Sequence, residues 1–397
     1  MINFIHKNFA LLAIGFLTAF GSSFGQTYFI SLFGGYFREF LNLTNGEFGG
    51  YYSIATILSA ISLIWVGKLI DNIELRKYVA TIVVGLALTC LLVSSILNTF
   101  MLFICLYLLR LFGQGLMGHT SRTTMARYFD KDRGKALAVS SYGLAFGEIF
   151  YPSIAVILIG VIGWRLTWIS SSIFIIIFFG IGLWYLLKNH KQVHQNFLNN
   201  QKKNEQKIWK RRDILKDTKF YCYLPSTLLM SFAVTGFFFH QVYIAPLKGW
   251  DLNLIAIGLI FYAIFSIIGS TIAGLLVDKF NARKIMPFFL IPYLLILIIL
   301  MYLNGPLILF AYMSVVGLTQ AIGENVSGSL WAEMYGVNNL GSIKALMTFF
   351  GILASAASPF LFGIILDQGD TLNMLILGTI ILIIIFSVLS YIGKYFK

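Results

Sequence analysis

Hydrophobic residues occur along this chain in long stretches separated by short polar segments. Each stretch holds about 20 to 25 residues, which as a helix is enough to cross a hydrocarbon core of about 30 Å. The pattern therefore predicts an all-α integral membrane protein with twelve transmembrane helices. The predicted spans are residues 9–34, 44–69, 78–97, 100–125, 134–160, 164–187, 219–247, 253–276, 285–303, 306–331, 341–366 and 371–393.

The two halves of the chain repeat one another. The strings Gly67–Lys77 and Gly274–Lys284 match at Gly, Leu, Asp, Arg and Lys with an offset of 207 residues. Internal repeats in membrane proteins are typical of secondary transporters, whose site lies between the repeats. The repeat predicts two pseudo-symmetric six-helix bundles, residues 1–187 and 219–397, joined by a basic cytoplasmic linker, residues 188–218.

Composition and charge agree with a membrane protein. Hydrophobic residues make up 58% of the chain, charged residues only 11%, and the mean hydropathy is +0.83, more than a soluble core needs. The net charge is +13, yet the basic residues outside the spans lie on one side of them, with only Arg38, Arg165 and Lys248 on the other. This positive-inside bias predicts cytoplasmic termini and an inner-membrane location, and it makes a nucleic-acid partner unnecessary.

The repeated strings resemble the loop motif of the major facilitator superfamily, Gly-x-Leu-x-Asp-x-x-x-x-Arg-Lys. Both copies lie at the predicted cytoplasmic end of a span, the second and the eighth. The resemblance implies two bundles that rock about a central site by alternating access. It also implies that the loop residues hold a cytoplasmic gate. The gate residues would be Gly67, Asp71, Arg76, Gly274, Asp278 and Arg283.

A second, weaker resemblance concerns the fourth to sixth spans. Arg110 with the glycine-rich stretch behind it is similar to the fourth-helix motif of the superfamily, and residues 133–165 resemble its monocarboxylate and oxalate/formate branch. Members of that branch place a substrate-binding arginine in the eighth helix. Residues 253–276 contain no Arg or Lys, so the identity of the substrate does not carry over. The fifth-span glycine motif of drug antiporters is also not reproduced, which disfavours drug efflux.

Away from the ends of the predicted spans few ionisable residues remain, and Arg110, Glu148 and Glu324 are the charged ones. A charge at the bilayer centre costs about 2.5 to 3.5 kcal/mol, so we expect these side chains to face a wet cavity or one another. The helical rise places Arg110 and Glu148 about 15 and 21 Å from the ends of their spans, near the midplane. Gln114 follows Arg110 on the same α-helical face and joins the candidate site.

Two hypotheses explain a contact between Arg110 and Glu148. In the structural one, the pair neutralises itself. In the functional one, a substrate carboxylate or phosphate competes with Glu148 for the guanidinium, and protonation of Glu148 couples a proton to the anion. For Glu324, a buried proton carrier and a gate pair with a base such as Arg122 are both open.

Neutral and histidine side chains in the spans complete the candidate site. They are hydrogen-bonding groups placed to contact either a substrate or a proton carrier. These candidates are Gln26, Tyr28, His240, Gln241, Gln320 and Asn325.

Together these features predict a secondary active transporter that takes up a small, monocarboxylate-like organic anion with protons and acts as a monomer in the bilayer. Two alternatives stay open, a proton-driven exporter of lipophilic cations or drugs and a transporter-like receptor that moves nothing. The sequence has no Walker loop and no metal-spaced His/Cys cluster, so we expect no enzyme, no cofactor and no metal site.

Overall fold

A computed structural model of the chain shows a helical protein. Every regular element in the described part is a helix, which confirms the predicted all-α fold. These helices group into two compact units, Met1–Leu43 with Ile54–Lys203 and Thr44–Ser53 with Asn204–Lys397. The described residues are 2–129, 132–188, 214–335, 340–369 and 372–393.

The first six predicted spans all have helices. The first span is broken near its middle, and the fifth and sixth form one long helix that bends at Gly163. Gly163 has a φ of 77°, a left-handed conformation that glycine adopts without steric cost. The helices are Phe9–Gly25 with Thr27–Leu41, Asn45–Val66, Leu75–Ser94, Thr99–Tyr128 and Arg133–Phe174, which continues through Ile175–Ile181 to Gly182–Leu186.

The last six predicted spans also have helices. If the bend at Gly163 is taken to divide the fifth span from the sixth, each of the twelve predicted spans has a helix among the described residues. The ninth is short, with 12 residues. Most of the linker predicted over residues 188–218 lies outside the described residues, and the predicted domain bounds stay predictions. The helices are Thr218–Phe239 with Gln241–Leu247, Leu252–Phe280, Ile291–Tyr302, Pro306–Tyr335, Leu340–Leu366 and Leu372–Gly393.

Aromatic rings form much of the interior of the first unit. Tyr151 of the fifth span lies between Phe20 and Phe24 of the first, with ring centroids 4.6 Å apart in both pairs. Each such pair contributes about 0.5 to 1.5 kcal/mol beyond its buried area. The cluster ties the fifth span to the first at the level where the first span breaks.

The start of the second span belongs to the second unit. Phe48 stacks on Phe239 of the seventh span with ring centroids 4.7 Å apart, and Tyr52 lies 4.4 Å from the same ring. The helix Asn45–Val66 therefore begins in one unit and continues into the other.

Backbone contact joins the first and fourth spans. A Cβ atom added to Gly25 would lie 2.8 Å from the Cα of Gly113, and one added to Gly113 would lie 2.6 Å from the Cα of Gly25. Small residues permit this approach between membrane helices, where dispersion contacts replace the hydrophobic effect. The contact brings the turn of the fourth span that carries Arg110 directly against the break in the first span.

We predict that Gly25→Val destabilises the protein because its side chain has no space between these backbones. Overpacking of this kind costs about 1 to 3 kcal/mol or more. Thermal unfolding in detergent measures the effect. The matched control is Gly160→Val, since a Cβ at Gly160 has no neighbour within 4 Å among the described residues. Equal melting temperatures for the two variants would contradict the packing assignment.

Candidate functional site

The first span is interrupted inside the membrane. After Phe9–Gly21, residues Ser22–Gly25 form a 3-10 turn, Gln26 is extended with φ −83° and ψ 151°, and the helix resumes at an angle of 42°. An interruption leaves backbone groups without helical partners, and in hydrocarbon these groups need partners within the protein. Discontinuous helices of this kind are typical of transporter binding sites.

Arg110 supplies a partner for the break. Its side chain is 2% exposed, and Nη1 donates to the carbonyl oxygen of Gly25 at 3.1 Å. A cation is costly in the membrane, and this bond places the Arg110 guanidinium against the Gly25 carbonyl, whose helix is interrupted. The predicted site residue Arg110 therefore lies at the break, within the first unit.

Arg110 lies in a π-helical segment, Leu109–Met117. A π-helix closes hydrogen bonds from i to i+5, so its turn is wider than that of the α-helix used to place Gln114, and a face shared by Gln114 and Arg110 stays a prediction. Gln114 is half-buried, and its backbone nitrogen lies against Gly25. π-Helical segments are rare and often occur at functional sites, which singles out this turn independently of its charge.

Tyr28 and Glu148 come together on the other side of the break. The Tyr28 side chain is 5% exposed, and Glu148, which is half-buried, interacts electrostatically with its hydroxyl group. Gly147 permits this approach, because a Cβ there would lie 3.3 Å from the Tyr28 oxygen. Gln26 is half-buried and is the extended residue between the two helical segments of the first span. A direct pair between Arg110 and Glu148 stays a prediction.

The seventh span is interrupted at His240. The helix Thr218–Phe239 ends there, and Gln241–Leu247 continues beyond it. His240 is 3% exposed, and its Nε2 donates to the carbonyl oxygen of Pro359 at 2.8 Å. This bond gives His240 a structural role between the seventh and eleventh spans. Its predicted role in substrate binding is not tested by this contact.

Gln241 is 6% exposed and lines a small apolar cavity with Phe237, Trp250 and Tyr312. The volume of the cavity is about 20 Å³, room for one water molecule. A substrate does not fit there. Contact between Gln241 and substrate stays a prediction that would require a different side-chain position.

Glu324 is exposed on the tenth span, and its roles as a proton carrier or as a gate residue stay predictions. Gln320 donates to its Oε1 at 2.6 Å, and Asn325 donates to the carbonyl oxygen of Ala321 at 2.8 Å. Among the described residues, no group of three His, Cys, Asp or Glu side chains could hold a metal ion.

The second copy of the loop motif is held by a residue that the sequence did not reveal. The Glu333 carboxylate accepts from the backbone nitrogens of Ala282 at 2.8 Å and Arg283 at 3.3 Å. Arg283 Nη2 donates in return to the Glu333 carbonyl oxygen at 3.2 Å. A carboxylate that binds exposed N–H groups at a helix start is favourable for its charge. Around Gly274, a Cβ would meet no atom within 4 Å.

The first copy of the motif uses different contacts. Arg76 stacks on Trp184, with the guanidinium carbon 3.6 Å from the ring centroid. Arg127 donates to the carbonyl oxygen of Ile70 at 3.4 Å. A Cβ on Gly67 would lie 3.5 Å from His119 Nε2. The side chains of two predicted gate residues, Asp71 and Asp278, lie outside the described residues.

Asp367 holds the start of the second span. Its Oδ1 accepts from the backbone and side-chain nitrogens of Asn45 at 2.8 and 3.0 Å, and Oδ2 accepts from the Gly46 nitrogen at 2.7 Å. Partial burial would raise the pKa of the Asp367 carboxyl, but the hydrogen bonds from Gly46 and Asn45 outweigh burial and hold it below its usual value. The sequence carries no signal for the role of Asp367, because its partners are nitrogens of a helix start distant in sequence.

The Major Facilitator Superfamily profile matches residues 15–261 and 226–395. The chain belongs to the Major Facilitator Superfamily, whose members are secondary transporters that bind small molecules within the membrane, and it is a multi-pass membrane protein. No curated protein matches its sequence. The profile match confirms the predicted superfamily membership.

Two solved structures share the fold. Both are of a bacterial homologue of the human lysosomal transporter Spinster, inward-facing and either occupied or unoccupied. They match with TM-scores of 0.72 and 0.69 at 11% identity, over 98% of this chain and 97% of theirs. At this identity the similarity concerns the fold alone.

We predict that Asp367→Asn lowers the melting temperature at neutral pH, because the carboxylate no longer stabilises the helix start. The folded-state pKa is lowered, so the stabilisation is complete above the unfolded pKa of about 3.9 and is lost as the pH falls through the folded value. Thermal unfolding of both proteins between neutral and acid pH should therefore show a gap that closes only below about pH 4.

The control for this prediction is Asp251→Asn. Asp251 Oδ1 accepts from the Leu254 nitrogen of its own helix at 2.7 Å, and asparagine caps a helix equally well. We expect little change at any pH. A gap for Asp367→Asn that widens in acid, or an equal gap for the control, would refute the assignment.

Proposed function

We propose that this protein takes up a small, monocarboxylate-like organic anion together with protons. It would do so as a monomer in the inner membrane, with both termini in the cytoplasm. The observation that carries the proposal is the Arg110 guanidinium, which is buried at the break of the first span. A guanidinium at that position suits the binding of an anion.

The chemistry of the guanidinium supports an anionic substrate. Its planar fork binds a carboxylate through two parallel charge-assisted hydrogen bonds, and it stays charged at every physiological pH. The hydrogen bond to Gly25 fixes the orientation of this fork relative to the break. The positive charge then draws an anion toward a region where backbone groups already depart from regular helix.

The surroundings of Glu148 support proton coupling. Glu148 interacts with the Tyr28 hydroxyl group, and Tyr28 lies three residues beyond Gly25 on the same broken span. In this proposal, the Glu148 carboxylate on the fifth span competes with the substrate carboxylate for Arg110. When Glu148 takes up a proton, the competition ends and the anion binds, so that proton and anion move together.

Two other functions lead to different experimental results. An exporter of lipophilic cations would use carboxylates as its binding groups, and the exposed Glu324 is available for such a role. A receptor would bind its ligand without moving it. Flux into proteoliposomes separates the receptor from both transporters, and competition by simple carboxylates against dye efflux separates the anion carrier from the exporter.

We predict that Arg110→Gln strongly reduces uptake of labelled lactate, pyruvate or oxalate into proteoliposomes at concentrations that half-saturate the wild type. Loss of one charge-assisted hydrogen bond costs about 1.5 to 3 kcal/mol, which lowers affinity roughly tenfold to a hundredfold. Arg110→Lys should also be impaired, since it keeps the charge but not the fork. The control is Lys135→Gln, which removes an exposed cation of the same unit. Undiminished uptake by Arg110→Gln would exclude the anion site.

We predict that Glu148→Gln uncouples uptake from protons, because glutamine has no proton to exchange. An inward proton gradient should no longer drive accumulation, while exchange of substrate across the membrane persists. Uptake at several imposed gradients measures this, with Glu39→Gln as the control, since Glu39 is exposed at the end of the first span. If Glu148→Gln still accumulates substrate with full dependence on the gradient, the coupling hypothesis fails.

A further inference from the structure

An apolar groove lies between the third and sixth spans of the first unit. Its volume is about 320 Å³, within the range of about 300 to 1,000 Å³ found for small-molecule sites. Buried side chains form its floor, and exposed side chains form its rim. The floor consists of Val79, Val83, Phe179 and Leu183, and the rim includes Val84, Ile176, Ile181 and Trp184.

The local structure of the sixth span opens the groove. Residues Ile175–Ile181 form a π-helix, which is wider than an α-helix and shifts the following side chains. Gly180 adds no side chain to the groove, and a Cβ there would lie 3.8 Å from Val83 Cγ1, an ordinary contact distance. The space beside Gly180 is therefore room that a larger side chain would occupy.

The groove has one polar lining residue, and it lies at one end. Arg76 begins the third span, and its guanidinium stacks on Trp184 at 3.6 Å. From Arg76 to Val84 the helix rises about 12 Å, close to the roughly 15 Å depth of one leaflet's hydrocarbon. Arg76 thus stands where lipid headgroups lie, and the apolar part of the groove stands beside their chains.

A second stacked arginine in this unit shows what is different about Arg76. Arg165 stacks on Trp164 at 4.3 Å, and its two terminal nitrogens donate to the carbonyl oxygens of Ser94 at 2.7 Å and Ile96 at 3.1 Å. Both of its terminal nitrogens therefore donate within the protein. The Nε of Arg76 is buried and has no hydrogen-bond partner among the described residues.

We propose that this groove binds an anionic phospholipid, with one acyl chain along its floor and the phosphate on Arg76. A guanidinium stacked on a ring presents its edge, which suits bidentate binding of phosphate oxygens. Trp184 at the same level is typical of residues that anchor in the headgroup region. The positive-inside bias assigns this end to the cytoplasmic leaflet, where anionic lipids attract basic residues.

Native mass spectrometry of the purified full-length protein tests the proposal. The protein is incubated with phosphatidylglycerol or phosphatidylcholine of the same chain composition. We expect the wild type to retain phosphatidylglycerol preferentially. Arg76→Gln should lower this retention about tenfold, the effect of one lost charge-assisted hydrogen bond. Lys77→Gln, the control, removes an exposed neighbouring cation that does not line the groove and should retain the lipid.

Filling the groove provides an independent test of the acyl-chain position. Gly180→Leu should reduce retention of both lipids, and Gly180→Ala should reduce it less. The alanine variant keeps the test valid if the leucine variant folds poorly. Phosphatidylglycerol with brominated acyl chains quenches the fluorescence of a nearby tryptophan. The quenching of Trp184, taken as the difference between the wild type and Trp184→Phe, therefore measures directly whether an acyl chain lies in the groove. Equal retention of the two lipids, equal losses in Arg76→Gln and Lys77→Gln, or unchanged quenching in Gly180→Leu would overturn the proposal.

Discussion

The need to satisfy backbone polar groups inside the membrane governs this structure. A helix interrupted in hydrocarbon leaves carbonyl and N–H groups that water cannot reach, and the protein must supply their partners. At the break of the first span, Arg110 donates to Gly25. At the break of the seventh, His240 donates to Pro359. In the first unit, a basic side chain therefore binds a carbonyl at an interruption, whereas in the second unit the histidine at the interruption binds a carbonyl of the eleventh span.

The same interruptions place the candidate chemistry. The break of the first span allows Gly25 to approach Gly113, and this contact brings the π-helical turn with Arg110 into position. Three residues further on, Tyr28 reaches Glu148. The positions of Arg110 and Tyr28 thus both depend on one local departure from helical geometry.

Much of the fold could be predicted from the sequence, because the length of an apolar stretch and the sidedness of positive charge are direct physical requirements of the bilayer. The break at Gly163 was predicted within a few residues for the same reason. The π-helix at Arg110 could not be predicted, since no composition distinguishes it from an α-helix. Asp367 and Glu333 were missed because their partners are backbone nitrogens distant in sequence.

The central claim is that Arg110 at the helix break binds a carboxylate, and ligand-induced thermal stabilisation of the purified protein tests it most directly. A ligand that binds the folded state raises the apparent stability in proportion to its occupancy. The account predicts that simple carboxylates raise the melting temperature of the wild type, but not of Arg110→Gln, and that sugars and lipophilic cations raise neither. Stabilisation by lipophilic cations alone, or equal stabilisation of both proteins by carboxylates, would contradict it.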